Sequence, residues 1–295
     1  MKQDAIVDMD LLGRLSGLSM KVSGAVEGQI NGRHRSPHHG ASVEFAQHRE
    51  YAPGDEIRHI DWKSYGRSDR FYIKEYEDET NLNTVLVVDS SASMNFAYGE
   101  HPTKLTYASR LAVALSWVLI RQGDAVGLVT HNDSVRDFIP PRSAPDHFWR
   151  VVSSLEQLKA EGQTDLTHVL LYLAGLRVKR CHFILLSDCL EFQSKFMAIA
   201  RQLKRRRHKV TVLQILDGAE IDFPFDELTI FEGMEALDEI QVDPRAMKET
   251  YLSEFTEWRD TLRRTLQDGQ VDYVEVRTDR ALEDYVFPML DGGPR

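Results

Sequence analysis

The chain has few of the features of a secreted or disulfide-stabilised protein. Its 295 residues include only two cysteines, Cys181 and Cys189. They flank one apolar run, and a strand between them would hold their Cα atoms too far apart for a disulfide. They also lack the C-x-x-C spacing of a zinc or redox site. We therefore expect two reduced, structural thiols in a cytoplasmic protein.

Long apolar runs are also missing. No window of the sequence approaches the roughly 18 apolar residues that a membrane-spanning helix needs. The most apolar helical stretch, residues 111–120, is too short and contains Ser116. Residues 1–18 show no apolar core of a secretion signal. The sequence therefore predicts a protein without membrane insertion.

An excess of positive charge is lacking as well. The chain has 36 Lys and Arg against 46 Asp and Glu, which gives a net charge of -10. This balance argues against nucleic acid as the main partner and favours cations or basic partners. The basic run 204–209 lies at the end of a predicted helix, where positive side chains complement the helix dipole, so we interpret it as structural.

The sequence does contain a regular alternation of apolar strands and amphipathic helices. Strands are predicted at residues 84–88, 125–130, 135–139, 183–187, 210–216 and 271–276. Helices are predicted at residues 104–120, 148–158, 167–176 and 192–206. Strands that are apolar throughout are buried on both faces. Their alternation with helices predicts an α/β fold with a doubly wound, mostly parallel sheet.

Two domains are expected. Residues 1–80 are polar, rich in histidine and interrupted by Gly and Pro, and they form an N-terminal extension. Residues 81–295 form the α/β domain. Its C-terminal part is predicted to contain a hairpin over residues 229–242 that turns at Gly233-Met234, a helix and the last strand. In that helix, apolar residues at helical spacing predict a stripe that faces the core, namely Tyr251, Phe255, Trp258 and Leu262.

Oxygen-bearing side chains follow two of the predicted strands. Asp89, Ser91 and Ser93 form a D-x-S-x-S pattern directly after the first strand, and Asp188 follows strand 183–187. Thr164 lies in the loop before helix 167–176. The carboxyl ends of parallel strands meet at one edge of a sheet, where open α/β folds bind ligands. Carboxylate and hydroxyl oxygens suit a hard cation, so the sequence predicts one Mg²⁺ or Mn²⁺ at this edge.

This set of residues resembles the metal-ion-dependent adhesion site of the von Willebrand factor A-like fold, which is Rossmann-like. The pattern matches at Asp89, Ser91, Ser93, Thr164 and Asp188, whereas Cys189 stands where many members have glycine. The resemblance implies a cation that is held partly through water and that accepts a carboxylate from a protein partner. A degenerate site that keeps the fold without metal is the alternative.

The N-terminal extension resembles a bacterial family known as domain of unknown function fifty-eight. The family pattern matches at Gly32, Ser36, Gly40, Glu44, Phe45, Arg49, Tyr51, Gly54, Asp55, Arg58, Ile60, Asp61 and Trp62. Gly66-Arg67 stands where an alanine–arginine pair is usual. The resemblance implies a MoxR-type AAA+ ATPase as partner, in chaperone-like assembly, and it carries over no catalytic residue.

The charged residues of the extension have simpler interpretations than a binding site. His34, His38 and His39 lie on a loop with Gly and Pro but without a cysteine or a fixed ligand frame, which favours a solvated loop over a zinc site. The arginines are interpreted as partners of nearby Asp and Glu side chains rather than as a phosphate site.

A non-enzymatic, metal-dependent protein-interaction module is therefore the function that we expect. The alternative is a divalent-metal-dependent hydrolase acting on phosphoesters. The sequence shows no P-loop and no second-metal carboxylate cluster, and Ser91 lacks the G-x-S-x-G elbow. His131 is the one histidine expected near the metal edge, where a packed or solvated role is favoured over that of a base. A purely structural scaffold is the third possibility.

Overall fold

A computed structural model of the chain describes residues 5–16, 44–51, 60–68, 70–77, 83–176, 178, 180–192, 194–226, 229–231 and 240–290. The chain divides into two compact units. The smaller unit comprises Val22–Asn81 and the larger one comprises Met1–Lys21 with Leu82–Arg295. The described N-terminal residues 5–16 thus group with the larger unit.

Helices and strands alternate through most of the described residues of both units. In chain order the elements are α1 Met9–Leu15, β1 Glu44–Glu50, α2 Trp62–Ser68, β2 Tyr72–Glu77, β3 Asn83–Asp89, α3 Lys104–Arg121, β4 Ala125–His131, β5 Val135–Arg142, α4 Pro145–Glu156, α5 Leu166–Gly175, β6 Cys181–Ser187, α6 Ser194–Arg205, β7 Lys209–Leu216, α7 Gly218–Asp222, β8 Thr229–Phe231, β9 Ile240–Val242, α8 Pro244–Asp268, β10 Asp272–Arg277 and α9 Glu283–Leu290.

The central sheet of the larger unit has six strands in the order β10-β7-β6-β3-β4-β5. Five of them run parallel, and β5 alone pairs antiparallel, with β4. Alternate side chains of β3 and β6 enter two separate apolar cores, one on each face of the sheet. The predicted fold class, a doubly wound and mostly parallel sheet, is confirmed.

Helix α3 fills the first of these cores. The Thr103 hydroxyl caps its start by accepting a hydrogen bond from the backbone N–H of Thr106 at 3.1 Å. Helix α1 packs against α3, and the indole N–H of Trp117 donates to the carbonyl of Leu12 at 3.0 Å. This contact explains why the first helix of the chain belongs with the larger unit.

The edge strand β5 continues past the point where the sequence ended it. It was predicted to stop before Pro140 and Pro141, but it extends to Arg142. Proline is tolerated in an edge strand because its missing N–H can face away from the partner strand. Gly127 lies in the neighbouring strand β4, and a Cβ there would come within 2.8 Å of the Ile139 carbonyl oxygen. The proline segment therefore needs a glycine opposite it.

The C-terminal elements agree with their predicted order. Strands β8 and β9 pair antiparallel, as predicted for the hairpin, whereas its turn at Gly233-Met234 lies outside the described residues. On α8, Leu262 is buried, and Tyr251, Phe255 and Trp258 are partly buried with their rings in contact along the helix. The predicted stripe faces inward most fully at its C-terminal end.

The two cysteines are free and buried, as predicted. Burial raises the pKa of the Cys181 thiol to about 12. Within the described residues, none of the helices combines the length and the apolar character that crossing a membrane requires.

The smaller unit contains a two-stranded antiparallel sheet, β1–β2, and the short helix α2. The Asp61 carboxylate accepts a hydrogen bond from the backbone N–H of Ser64 at 3.2 Å in the first turn of α2. Four aromatic rings cluster beside it, and the closest pair, Tyr65 and Phe71, stacks at 4.4 Å. Asp61 and Trp62 of the family pattern therefore begin this helix.

A buried histidine in β6 makes the stability depend on pH. The Nε2 atom of His182 lies 2.8 Å from the hydroxyl oxygen of Thr211, and burial lowers the pKa of the ring to about 3. Because the unfolded chain binds a proton near pH 6.5 and the folded chain does not, stability falls as the pH drops from 6.5 towards 3. The pKa values of His147 and His208 are also lowered by burial, so they act in the same direction.

When the pH drops from 7 to 5, we expect His182 alone to lower the free energy of unfolding by about 2 kcal/mol. Urea unfolding of the wild type and of His182→Gln at both pH values would measure this term. On acidification, the free energy of unfolding of His182→Gln should therefore fall by about 2 kcal/mol less than that of the wild type. Equal losses in the two proteins would contradict the prediction.

Candidate functional site

The carboxyl edge of the central sheet brings the predicted donors together. Asp89 is the last residue of β3, and its side chain is fully buried. The chain then turns into a short 3-10 helix, Ala92–Asn95, so that Ser91 and Ser93 lie beside the strand end. The backbone N–H of Ser91 donates to Asp89 Oδ1 at 2.9 Å, and the hydroxyl oxygens of Ser91 and Ser93 are 3.1 Å apart.

The second oxygen of the same carboxylate is held by two hydroxyls from other segments. Thr164 Oγ1 donates to Asp89 Oδ2 at 3.0 Å, and Ser187 Oγ donates to the same atom at 2.6 Å. Thr164, Ser91 and Ser93 are all buried. The structure therefore gathers four of the five predicted residues and adds Ser187, which was predicted only as the last residue of a strand.

Backbone hydrogen bonds hold the Thr164 loop in place. The N–H of Ala92 donates to the carbonyl of Gly162 at 2.8 Å, and the N–H of Glu161 donates to the carbonyl of Ser90 at 2.9 Å. Gly162 adopts φ +76°, and a Cβ there would come within 3.0 Å of Asn132 Nδ2. Glycine at this position allows the positive φ and the close Asn132 side chain in the loop that brings Thr164 to Asp89.

Asp188, the fifth predicted residue, is engaged differently. It is fully buried, and its Oδ1 accepts the backbone N–H of Leu190 at 3.3 Å. Its Oδ2 accepts from the ammonium of Lys104 at 2.9 Å, and the same ammonium lies 2.8 Å from Glu220 Oε1. Asp188 is therefore already paired with a cationic side chain of the protein.

The turn after Asp188 departs from the pattern of the resembling family but still forms. Cys189 adopts φ +60°, a conformation that glycine reaches more easily. Its backbone N–H donates to Ser187 Oγ at 3.1 Å, which stabilises the turn. Burial, together with the charges of Asp188 and Asp89, raises the pKa of the Cys189 thiol. Both carboxylates thus lie close to this residue.

Lys104 and Glu220 were not predicted as part of the site. The sequence placed Lys104 at the start of a helix, where a charged residue is ordinarily solvated, and it assigned no role to Glu220. Their contacts span 84 and 116 positions of the sequence. The local sequence pattern carries no signal for such distant pairs. The one available signal is that Lys104 stands in the first turn of a helix, where the dipole disfavours a cation and so indicates a partner outside the helix.

The donor set fits a hard divalent cation. The Asp89 carboxylate accepts three hydrogen bonds, but it has no ion pair within the described part of the chain, so its buried negative charge is left for a cation to balance. Hydroxyl and carboxylate oxygens are the ligands that Mg²⁺ and Mn²⁺ accept. Three of the five donors are hydroxyls, which distinguishes the set from sites rich in His, Cys, Asp or Glu, and the described ranges contain no cluster of that kind.

His131 lies beside Asp89 in the sheet, since the two residues are register partners in β4 and β3. Its side chain is fully buried, and among the described residues its Nε2 has no hydrogen-bond partner. The histidine is thus near the edge, as expected, but it is closed off from solvent.

Several residues of the family pattern cannot be placed. Gly32, Ser36, Gly40, Gly54 and Asp55 lie outside the described residues, as do Arg58 and the histidines His34, His38 and His39. The predicted pairing of the extension's arginines therefore stays a prediction.

The basic run 204–209 spans the end of α6 and the start of β7. Helix α6 ends at Arg205, and Lys209 begins β7, where its ammonium lies 2.8 Å from Asp272 Oδ2. At least this cation is paired within the protein, in line with the structural interpretation of the run.

Comparison with known sequences gives one family and several relatives. A family model described as "Protein of unknown function DUF58" matches residues 47–261. Uncharacterized proteins of Mycobacterium bovis and Mycobacterium tuberculosis are each 25% identical to the chain over 283 residues, which is 93% of this chain and 87% of each relative.

Solved structures that align with the chain share little sequence with it. The conserved hypothetical protein BatB from Bacteroides thetaiotaomicron aligns with a TM-score of 0.48 at 15% identity, over 71% of this chain and 97% of that one. The SpRpn10 VWA domain aligns with a TM-score of 0.42 at 12% identity, over 73% and 100% of the two chains. The strand order described above establishes the fold class independently of these likenesses.

Proposed function

The chain belongs to the DUF58 family, and on this premise we propose that its larger unit is a non-enzymatic protein-interaction module that holds one Mg²⁺ or Mn²⁺ at the carboxyl edge of the sheet. The observation that carries the proposal is the buried carboxylate of Asp89, which hydroxyls surround but which no basic side chain of the described residues pairs with. A module of this kind binds a partner through the cation.

Each residue has a distinct role in this proposal. Asp89 would hold the cation, and Ser91 and Ser93 would add hydroxyl oxygens from the turn. Thr164 would add a hydroxyl from the opposite loop, and Asp188 would add a carboxylate at the end of β6. Ser187 would orient Asp89 through its 2.6 Å hydrogen bond. When bound, the cation would offer an open coordination position to a carboxylate of the partner, a contact strengthened by opposite charges.

The partner follows from the family resemblance. We propose a MoxR-type AAA+ ATPase that presents an Asp or Glu side chain, in chaperone-like assembly. Binding of the purified ATPase to the full chain in Mg²⁺, and its loss in a chelator, would support this assignment. Equal binding in both buffers would reject the metal bridge while leaving the partner in place.

Metal-dependent phosphoester hydrolysis is less well supported. A general base must reach the proton that it abstracts, directly or through one water. His131 is the histidine next to Asp89, but its side chain is fully buried. Turnover of a phosphoester with Mn²⁺ that disappears in Asp188→Ala would revive the hydrolase.

The Asp89→Asn substitution tests the metal site directly. It keeps the shape of the side chain and removes its charge, so we expect the affinity for Mn²⁺ to fall by about 100-fold or more. Isothermal titration of Mn²⁺ into the two chelator-treated proteins would measure the change.

Asp133→Asn is a matched control. Asp133 is an exposed aspartate in the loop that follows β4, and its replacement removes one negative charge from the same edge without touching Asp89. Its affinity for Mn²⁺ should stay within about twofold of the wild type, because exposed charges are largely screened by salt. Similar losses in the two variants would reject Asp89 as a specific ligand.

A further inference from the structure

Lys104 is a buried ammonium at the candidate metal edge. It is the first residue of α3, and only 1% of its surface is exposed. Lysine is almost never buried so completely unless it is paired. The start of a helix also disfavours a cation, because the helix dipole is positive there. The position of Lys104 therefore reflects its contacts outside the helix.

Two carboxylates account for these contacts. The ammonium lies 2.9 Å from Asp188 Oδ2 and 2.8 Å from Glu220 Oε1. Burial by itself would lower the pKa of Lys104, but Asp188 and Glu220 outweigh it, and the pKa lies above its ordinary value. Lys104 is therefore a fixed positive charge in the folded protein.

Glu220 is itself held rigidly. Its other oxygen, Oε2, accepts the backbone N–H of Asp217 at 2.7 Å, in a capping box that begins helix α7. Its backbone carbonyl accepts from the hydroxyl of Tyr251 on α8 at 2.9 Å. Glu220 thus offers the ammonium a second, fixed place near Asp188.

These contacts put two cations in competition for one carboxylate. We propose that Lys104 is an internal competitor of the divalent cation, holding Asp188 when the metal is absent and relying on Glu220 when the metal draws on Asp188. The inference rests on the proposed metal site. Lys104 is a positioning residue here, and the strength of its contact with Glu220 sets how freely Asp188 can serve the metal.

Titration of MnCl₂ into the full chain and into Lys104→Met tests the competition. Methionine keeps much of the length and apolar character of the side chain but removes the charge. We expect Lys104→Met to bind Mn²⁺ about tenfold more tightly, because a like charge a few ångströms from the metal is lost. Its melting temperature without metal should be lower than that of the wild type, since Asp188 loses its partner, and saturating Mn²⁺ should raise it by more than it raises the wild type.

Glu220→Gln tests the second half of the inference. With Glu220 uncharged, Lys104 has only Asp188, so Mn²⁺ affinity should fall by about threefold to tenfold. In the double variant Lys104→Met/Glu220→Gln, the effect of Glu220→Gln on affinity should largely disappear, because it acts through Lys104. If Lys104→Met fails to fold without metal, it can be refolded in Mn²⁺ and its affinity measured by competition with a chelator.

The outcomes separate this inference from the proposed function. If neither the wild type nor Lys104→Met binds Mn²⁺, both are overturned. Binding that depends on Asp89 but is unchanged or weaker in Lys104→Met overturns the competition alone. A fall in affinity on Glu220→Gln that is equally large with and without Lys104 also overturns it, because it would show a plain charge effect. Binding that appears or tightens only when the ammonium is removed supports it.

Discussion

Replacing Phe183 with alanine is expected to lower the free energy of unfolding of the larger unit by about 3–5 kcal/mol. Phe183 lies in β6, next to the central strand β3, and none of its surface is exposed. Its ring packs 5.3 Å from that of His208, on the face of the sheet opposite α3. A close-packed interior relaxes only partly around such a deletion, so the lost contacts and the remaining cavity both cost free energy.

Urea unfolding followed by circular dichroism would measure this loss. Trp149→Ala is the control, because Trp149 lies on α4 with 55% of its surface exposed. Deleting that ring should change the unfolding free energy by only about 0.5 kcal/mol. A loss below about 1.5 kcal/mol in Phe183→Ala would show that the core around β6 is looser than the structure describes.

Replacing Asp217 with alanine is expected to cost about 2–4 kcal/mol. Asp217 directly follows β7, and its side chain is fully buried. One oxygen caps α7 by accepting the N–H of Ala219 at 2.8 Å, and the other accepts the hydroxyl of Thr278 at 2.8 Å. The substitution removes a helix cap and leaves a buried hydroxyl without its acceptor, and the two costs add.

Asp243→Ala provides a comparison at a cap of the same chemistry. Asp243 caps α8 by accepting the N–H of Arg245 at 3.0 Å, but it is exposed, so water can replace the lost acceptor. We expect a loss of about 1 kcal/mol or less there. Equal losses at the two positions, measured by urea unfolding, would mean that the buried hydrogen bond between Thr278 and Asp217 adds nothing to the stability.

The hydrogen bonds of Asp217 are also connected to the candidate metal site. Asp217 closes a capping box with Glu220, and Glu220 contacts Lys104, which contacts Asp188. This path links the end of β10, through Thr278, to the candidate ligand Asp188 at the end of β6. A cation that draws on Asp188 would therefore act on the same hydrogen bonds that hold α7.

The strand and helix pattern of the larger unit followed closely from the sequence. The run of apolar residues before Asp89 predicted β3, and the structure adds only one residue at its start and the aspartate itself at its end. Helical spacing predicted α3 to within one residue. Such predictions succeed because periodicity along the chain reflects which faces of an element are buried.

Other boundaries depended on neighbours that the sequence does not show. Strand β5 continues through Pro140 and Pro141 because it is an edge strand and because Gly127 leaves room for it. Helix α1 joins the larger unit because Trp117 bonds to the carbonyl of Leu12, 105 positions away. In both cases a distant segment decides where an element ends or belongs.

The sequence by itself determined the fold class and the place of the candidate site, because D-x-S-x-S follows a buried strand and parallel strands share one carboxyl edge. Only the tertiary structure decided which side chains pair with the buried carboxylates of that site. Ser187 binds Asp89, and Lys104 binds Asp188 and Glu220, through contacts between segments that are far apart in the chain. The physical reason is that periodicity records burial, whereas the pairing of a buried charge depends on which distant side chain reaches it.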